Sequence, residues 1–292
     1  MTRRVPKNPF LKPLELALSA RYGWQAGGAV RDALVQAVSA KARRIDMDEV
    51  SYCRTAVQSI AELQALAEEI APAESRFFAD SDQVAALRER VLPELASARK
   101  SGRTLRAWSM ACAGGEEPFT LAILLRECIP SIDEWHIELL ATDLRGKAIV
   151  AASRGRFRAA AIRSIDPAIR NRYFIGIEEP GPDREFDVLP LVRRMVTFRR
   201  ANVCEATPWR QIREPLDLVL CQNLLLYFQP RAAEQVLSRL ADAIALDGYL
   251  VVSPIETQFI SPTHFVPVAS LPAGFFQVPE RPTGTGSVEV GV

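Results

Sequence analysis

The stretch ACAGGEEP, residues 111–118, sets two glycines and two acids between an apolar run and a helical one. A small-residue loop running into a helix presents bare N–H groups to a ligand, and such termini attract anions. Glu116 and Glu117 stand where a phosphate would meet like charge. Neither GxGxxG nor GxxxxGK[ST] occurs, so the loop is a poor fit to a nucleotide pyrophosphate. Two readings remain. Either the acids pair with a cationic group on a phosphate-free cofactor, or they only stabilise a helix N-terminus with Pro118 in its first turn.

Two further polar points follow apolar runs. Asp143 ends LLATD, where a carboxylate could accept both hydroxyls of a ribose. Gln222 and Asn223 end LDLVLCQN, with Tyr227 and Phe228 just beyond; taken alone, they read more readily as a turn and a core tyrosine than as a binding element. S-adenosylmethionine carries an α-ammonium, a sulfonium and a ribose but no phosphate, and it suits the loop acids and Asp143; the polar amides at the third point face the same cleft.

The elements that must carry these residues follow from periodicity. LELALSARYGW, VRDALVQAVSAKARR, ELQALAEEIA and DQVAALRERVLPEL have apolar residues three and four apart, which predicts a helical unit over about 14–95. Ser81-Asp82 is a plausible N-cap for the last of these helices, and SARKSG (97–102) breaks the pattern. Strand-like runs at 104–112, 136–142, 216–222 and 248–254 then alternate with helix-like runs at 118–128, 145–154 and 230–245. Such alternation predicts an α/β fold, a parallel sheet covered by helices on both faces. Residues 173–200 interrupt it with short alternating runs around EEPGPD, read as antiparallel strands. The expected division is an all-α N-terminal domain (1–80), a linker helix and connection (81–103), a Rossmann-like domain (104–278) holding a β subdomain at about 173–197, and a disordered tail (279–292).

Composition narrows the function classes. With 36 basic and 35 acidic residues the formal charge is +1, so no global field draws the chain to nucleic acid or an anionic membrane. Five scattered cysteines without a CxxC pair indicate reduced thiols and a cytoplasmic setting. Two histidines, neither with a ligand partner at i+4, argue against a zinc site or a histidine-based triad, and no metal is expected. No run approaches about 18 uninterrupted apolar residues, so direct membrane insertion is not expected.

WSMACAGGEEPFTLAILL, LLATDLRGKAIVAASRGRF, NRYF, VTFRRANV, LDLVLCQNLLLYF and GYLVVSPIET together resemble the CheR-type chemotaxis receptor methyltransferases, in the family's order and at similar spacing over nearly the whole chain. The resemblance implies an enzyme that methylates receptor glutamates with S-adenosylmethionine, yielding S-adenosylhomocysteine. It also implies a small helical N-terminal domain and a three-stranded antiparallel subdomain inserted in a Rossmann-like methyltransferase domain. Carried over by position, Glu117 meets the methionine part of the cofactor and Asp143 the ribose. Asn202 and Val203 frame the adenine, Gln222 and Asn223 line the cleft, and Ser75 and Ala113 complete the cofactor set. Tyr227 stands beside the transferring methyl as the catalytic residue. The implied partner is a chemoreceptor or receptor-like helical bundle in chemotaxis signal transduction.

The chain departs from the family at two cations. Where the family has T-x-F-F-R this chain has SRFFA, so Ala79 replaces an arginine; where it has C-R-N, Gln222 replaces a second; GHSE appears as SPIE at 253–256. Arg76 and Arg106 are the candidates to stand in, each read by default as a solvated surface group. Arg31, Lys41, Arg43 and Arg44 resemble the family's basic docking helix only loosely. Beside the methyltransferase stands an alternative from another class, a signalling scaffold that keeps the fold and cofactor binding but has weakened catalysis. A nucleic-acid or small-molecule methyltransferase ranks below both, since NLLLYF stands where amino-methylating enzymes show [DN]PP[YF]. A nicotinamide dehydrogenase ranks last, for want of its glycine fingerprint.

Overall fold

Five parallel strands form the centre of the computed structural model, which describes residues 8–25, 27–73, 75–177 and 184–279. The EEPGPD turn (178–183) and the tail from residue 280 lie outside the described residues.

Four helices come first: α1 (Lys12–Tyr22), α2 (Gly28–Arg44), α3 (Glu49–Gln58) and α4 (Ile60–Ile70). Asp48 caps α3 by accepting from the Ser51 N–H, and Ser59 caps α4 by accepting from the Glu62 N–H, as short polar side chains do at helix starts. The chain leaves α1 through Gly23 at φ +73°, where a Cβ would lie 2.7 Å from Ala232 Cβ. Only glycine allows that turn and that approach. A second helical run, α5 (Ser81–Ala86), a π segment (Leu87–Val91) and α6 (Leu92–Ala98), leads to the sheet. Its N-cap is Asp80, which accepts from the Gln83 N–H, one residue before the expected Ser81-Asp82.

The sheet elements are β1 (Thr104–Met110), α7 (Glu116–Cys128), β2 (His136–Asp143) and α8 (Gly146–Arg154). An excursion follows: β3 (Arg156–Arg158), α9 (Ala159–Ile162), α10 (Pro167–Tyr173), β4 (Phe174–Gly176), β5 (Glu185–Val188) and α11 (Pro190–Arg193). The chain closes with β6 (Val196–Arg200), α12 (Thr207–Arg210), β7 (Leu216–Leu220), α13 (Pro230–Ala243), β8 (Ile244–Val251), β9 (Val266–Pro267) and β10 (Phe275–Gln277).

The main sheet runs β6-β2-β1-β7-β8-β10-β9, with the first five strands parallel and β10 and β9 antiparallel. The small sheet, β3-β5-β4, is antiparallel. Its boundaries differ from the expected 173–197. It begins at Arg156, in a three-residue strand too short to show a period, and the 196–200 run pairs in parallel with β2 as the edge of the main sheet. Alternation marks a half-covered strand but does not name its neighbour.

Each face of the sheet has its own core. Leu14, Leu34 and Leu66 of the N-terminal helices join Trp108, Val219 and the Val236, Leu237 and Leu240 of α13 in one buried cluster. The N-terminal helices are therefore packed as one layer of the sheet. On the other face Leu92 and Leu95 of α6 meet Phe119, Leu121 and Leu125 of α7. Each such fully buried side chain contributes roughly 1.5–3 kcal/mol. Phe119 also sets its edge against Phe157 at 6.0 Å and 90°, which anchors the excursion to α7.

Candidate functional site

The strand order reverses between β1 and β7, and in open α/β sheets ligands bind at that switch, beyond the carboxyl ends of the strands. A cleft opens there in two lobes. The larger, 340 Å³, is lined by Asp143, Asn202, Val203, Leu226 and Tyr227, with Tyr22 and Trp24 from the N-terminal segment. The smaller, 110 Å³, is lined by Ser75, Ala79, Gln83, Glu117 and Thr120. Arg76, Ala111, Gln222 and Asn223 line both.

Backbone conformation makes the cleft. Ala111 (φ +54°), Ala113 (+47°) and Asn223 (+56°) take left-handed values at the ends of β1 and β7, and Phe78 (+49°) does so beside the smaller lobe. Such conformations cost on the order of 1–3 kcal/mol each in side-chain-bearing residues and persist where the surroundings enforce them. Here the enforcement is a set of hydrogen bonds. Cys112 N–H donates to the Thr142 carbonyl at 2.9 Å, and Trp108 Nε1 donates to Thr142 Oγ1 at 2.9 Å.

Asp143 is buried at the end of β2. Its Oδ2 accepts from the Ala113 N–H at 2.9 Å; its Oδ1 accepts from the Arg145 N–H at 2.8 Å and from Arg145 Nε at 3.2 Å. A carboxylate offers about four acceptor directions, so about one remains for a ligand hydroxyl. Both ribose hydroxyls can be accepted only if the Arg145 side chain moves. Ala113, expected among the cofactor contacts, is itself buried off the cavity wall with its N–H on Asp143, and so positions that carboxylate.

The paired acids separate by role. Both open α7, behind Gly115 at φ +96°. Glu117 turns into the cleft and accepts from the buried Ser109 hydroxyl at 2.6 Å. Burial pushes its carboxyl up to about 7; the Ser109 bond opposes this and the nearby Glu256 charge reinforces it. Glu116 folds back over Gly114, where a Cβ would lie 2.6 Å from its Oε2. That oxygen is buried without a hydrogen-bond partner among the described residues. Burial raises the Glu116 carboxyl too, against the opposing Ser75 hydroxyl and Arg145 charge. Only Glu117 of the two reaches the cavity.

On the β7 side, Gln222 Nε2 donates to Gln83 Oε1 at 2.7 Å, and Gln83 Nε2 in turn donates to the carbonyls of Val252 and Ala273. Glu256, fully buried, holds the 223–225 loop. It accepts from the N–H groups of Asn223 and Leu225 at 2.7 Å each, and from the Ser253 N–H and hydroxyl. Sequence reading passed over Glu256 as the end of SPIE. Its available signal is the S-x-x-E capping box, which the structure contains.

Asn202 lines the larger lobe, yet its side chain is engaged: Nδ2 donates to the Arg21 carbonyl at 3.0 Å and Oδ1 accepts from the Cys204 N–H at 3.0 Å. Val203 presents an apolar wall. Tyr227 is reached through the N-terminal segment, since Gln25 N–H donates to the Tyr227 carbonyl and Gln229 N–H to the Gly23 carbonyl. Arg106 is excluded from the site. It lies near the opposite end of β1, paired with Glu138 at 3.4 Å. Arg76 is exposed at the mouth of the cleft. Burial raises the thiols of Cys112 and Cys221, which keeps them protonated and unreactive. Among the described residues no cluster of His, Cys, Asp or Glu could hold a metal ion.

The acidic lining, with Glu117 in the smaller lobe, Asp143 in the larger and Arg76 the one cation among the described residues that line either, suits the cationic, phosphate-free S-adenosylmethionine. Residues 73–271, more than half of the chain, match the family model described as CheR methyltransferase, SAM binding domain. A probable chemotaxis protein methyltransferase of Rhizobium etli is 29% identical over 182 residues, 62% of this chain and 66% of its own length. Chemotaxis protein methyltransferase 1 of Pseudomonas aeruginosa is 31% identical over 210 residues, 68% of this chain and 71% of its own. The probable biofilm formation methyltransferase WspC of the same species is 28% identical over 273 residues, 92% of this chain and 62% of its own. The chain thus spans 66%, 71% and 62% of these relatives' lengths. By this match, and by the fold and cleft that accompany it, the chain belongs to the CheR methyltransferase family, with residues 73–271 as its domain for S-adenosylmethionine.

Proposed function

We propose that this protein transfers a methyl group from S-adenosylmethionine to glutamate side chains of a chemoreceptor-like helical signalling protein. The observation that carries the reading is the pairing, in one cleft at the strand switch, of Glu117 on the smaller lobe with Asp143 on the larger. Glu117 holds the ammonium and Asp143 a ribose hydroxyl; Val203 packs the adenine, with Asn202 bracing the loop beneath it. Gln222 and Asn223 close the floor between the lobes, and Tyr227 flanks the reacting end.

When bound, the cofactor supplies a methyl on a sulfonium; a carboxylate oxygen takes the methyl, and the S–CH3 bonding pair stays on sulfur. A glutamate with an ordinary pKa of about 4.3 is already ionised at neutral pH, so the chain need supply no general base. Its task is alignment and exclusion of water, which together account for several kcal/mol of a displacement barrier, on the order of 7–11 in well-oriented cases. The pinned 227–229 loop and the strained Ala111 and Asn223 provide that rigidity.

Of the reported relatives, the one matching 92% of this chain is named for biofilm formation, so a receptor-like protein of a biofilm-formation pathway is as suitable an acceptor as a chemotaxis receptor. No described helix is long and apolar enough to cross a membrane.

The test pairs calorimetry of S-adenosylmethionine and S-adenosylhomocysteine binding with tritiated-methyl transfer to chemoreceptor cytoplasmic fragments. Binding with base-labile incorporation supports the proposal. Binding with no incorporation into any receptor of the source organism leaves the scaffold alternative, which Ala79 and Gln222 motivate.

A further inference from the structure

Resting on the reading just given, we propose that Arg76 orients the acceptor carboxylate, in place of the arginine lost at position 79. Its place in the cleft carries this. Arg76 lines both lobes, along with Ala111, Gln222 and Asn223, and it is the one charged residue of those four. The covalent order of the cofactor puts its sulfonium between the parts assigned to Asp143 and Glu117, so residues shared by the lobes flank the reacting end. An incoming carboxylate must arrive there.

The cations around the cleft are otherwise engaged. Arg145 pairs with Asp143 at 3.2 Å, Arg21 with Glu205 at 3.2 Å and Arg200 with Glu68 at 2.9 Å. Arg76 has no hydrogen bond or ion pair among the described residues and stands exposed at the mouth. The cleft also carries Glu117 and Asp143 on its walls, with Glu116 just behind. Without a cation at the entrance their field opposes a second carboxylate; with Arg76 the entrance is attractive and the guanidinium can bind both oxygens of the acceptor. Because that contact acts on the acceptor's full charge as it binds, and that charge falls as the methyl is transferred, its loss is read in KM more than in kcat. Ala79 lines the smaller lobe three residues away, so an arginine restored there reaches the same entrance.

The experiment uses the full chain with S-adenosylhomocysteine and a fluorescein-labelled coiled-coil peptide from a chemoreceptor methylation region, made with glutamate or glutamine at the acceptor position. The wild type is expected to bind the glutamate peptide about tenfold more tightly, the range of a charge-assisted contact at a partly exposed site. Arg76→Ala loses that preference, Arg76→Lys retains part of it, and Arg76→Ala/Ala79→Arg regains it. In methyl-transfer assays Arg76→Ala raises KM by about tenfold with kcat changed by less than about threefold. Calorimetric affinity for S-adenosylhomocysteine is unchanged. The proposal is overturned if Arg76→Ala keeps the glutamate preference, or if its cofactor affinity falls by the same factor as KM. A wild type that transfers no methyl refutes the proposed function instead, and the peptide preference still decides the role of Arg76.

Discussion

Burial pushes the Glu117 carboxyl up to about 7, well above the ordinary glutamate value, and a ligand ammonium beside it must draw off that proton. Cofactor affinity is therefore linked to pH. With a pKa near 7 the ionised fraction is roughly one in thirty at pH 5.5 and about one half at pH 7, so affinity for S-adenosylhomocysteine should rise on the order of tenfold across that window. The α-ammonium, with a reference pKa of about 7.7–8.0, stays mostly charged across the same window. Calorimetry in two buffers of different ionisation enthalpy reads the same event as release of about half a proton at pH 7. Stability runs the other way. A carboxyl raised in the fold keeps a proton that the unfolded chain has released, so ionising it has no cost below pH 4.5, a growing cost up to about 7, and a full cost above. At about 1.36 kcal/mol per unit the full cost is up to about 3 kcal/mol. Glu117→Gln should then melt higher than wild type at pH 8 but not at pH 4.5, while binding the cofactor weakly and with a flat pH profile. Wild-type affinity that stays constant from pH 5.5 to 7 would refute the assignment of Glu117 to the ammonium.

Other perturbations address the remaining parts of the site. Asp143→Asn, which weakens the acceptor for both Ala113 and a ribose hydroxyl, should lower cofactor affinity by about tenfold or more, read by calorimetry. Glu256→Gln cannot accept from all four groups that meet the carboxylate, and urea unfolding should show a loss of about 2–4 kcal/mol; an unchanged midpoint would mean the 223–225 loop is held otherwise. Gly115→Ala forces a side chain at φ +96° and 3.0 Å from Ala152 Cβ, for a loss of about 1–2 kcal/mol. Gly114→Ala meets only the movable end of Glu116 and should cost much less, so thermal melts of the two variants should differ.

Much of the site was legible in order and in chemistry. The alternation of strands and helices, the acids after the glycines and Asp143 at a strand end are local patterns, and each lies where its pattern predicts. Adjacent acids were harder to separate. Glu116 and Glu117 have the same chemistry and neighbouring positions, and the direction in which the helix starts determines which one enters the cleft. The small sheet was displaced for a similar reason, since β3 is three residues long and β6 has the period of any half-covered strand.

What the sequence by itself determined is the set of elements, their order and the reactive groups at their ends, because side-chain periodicity and turn chemistry act over a few residues. Tertiary structure alone decided how those ends are held. Gln25 Nε2 reaches the Phe228 carbonyl across 203 residues, Gln222 reaches Gln83 across 139, and Tyr22 and Trp24 form cleft wall from a helical unit that reads as separate. Such contacts are set by how two faces of one sheet are covered, and that packing leaves no local period in the chain.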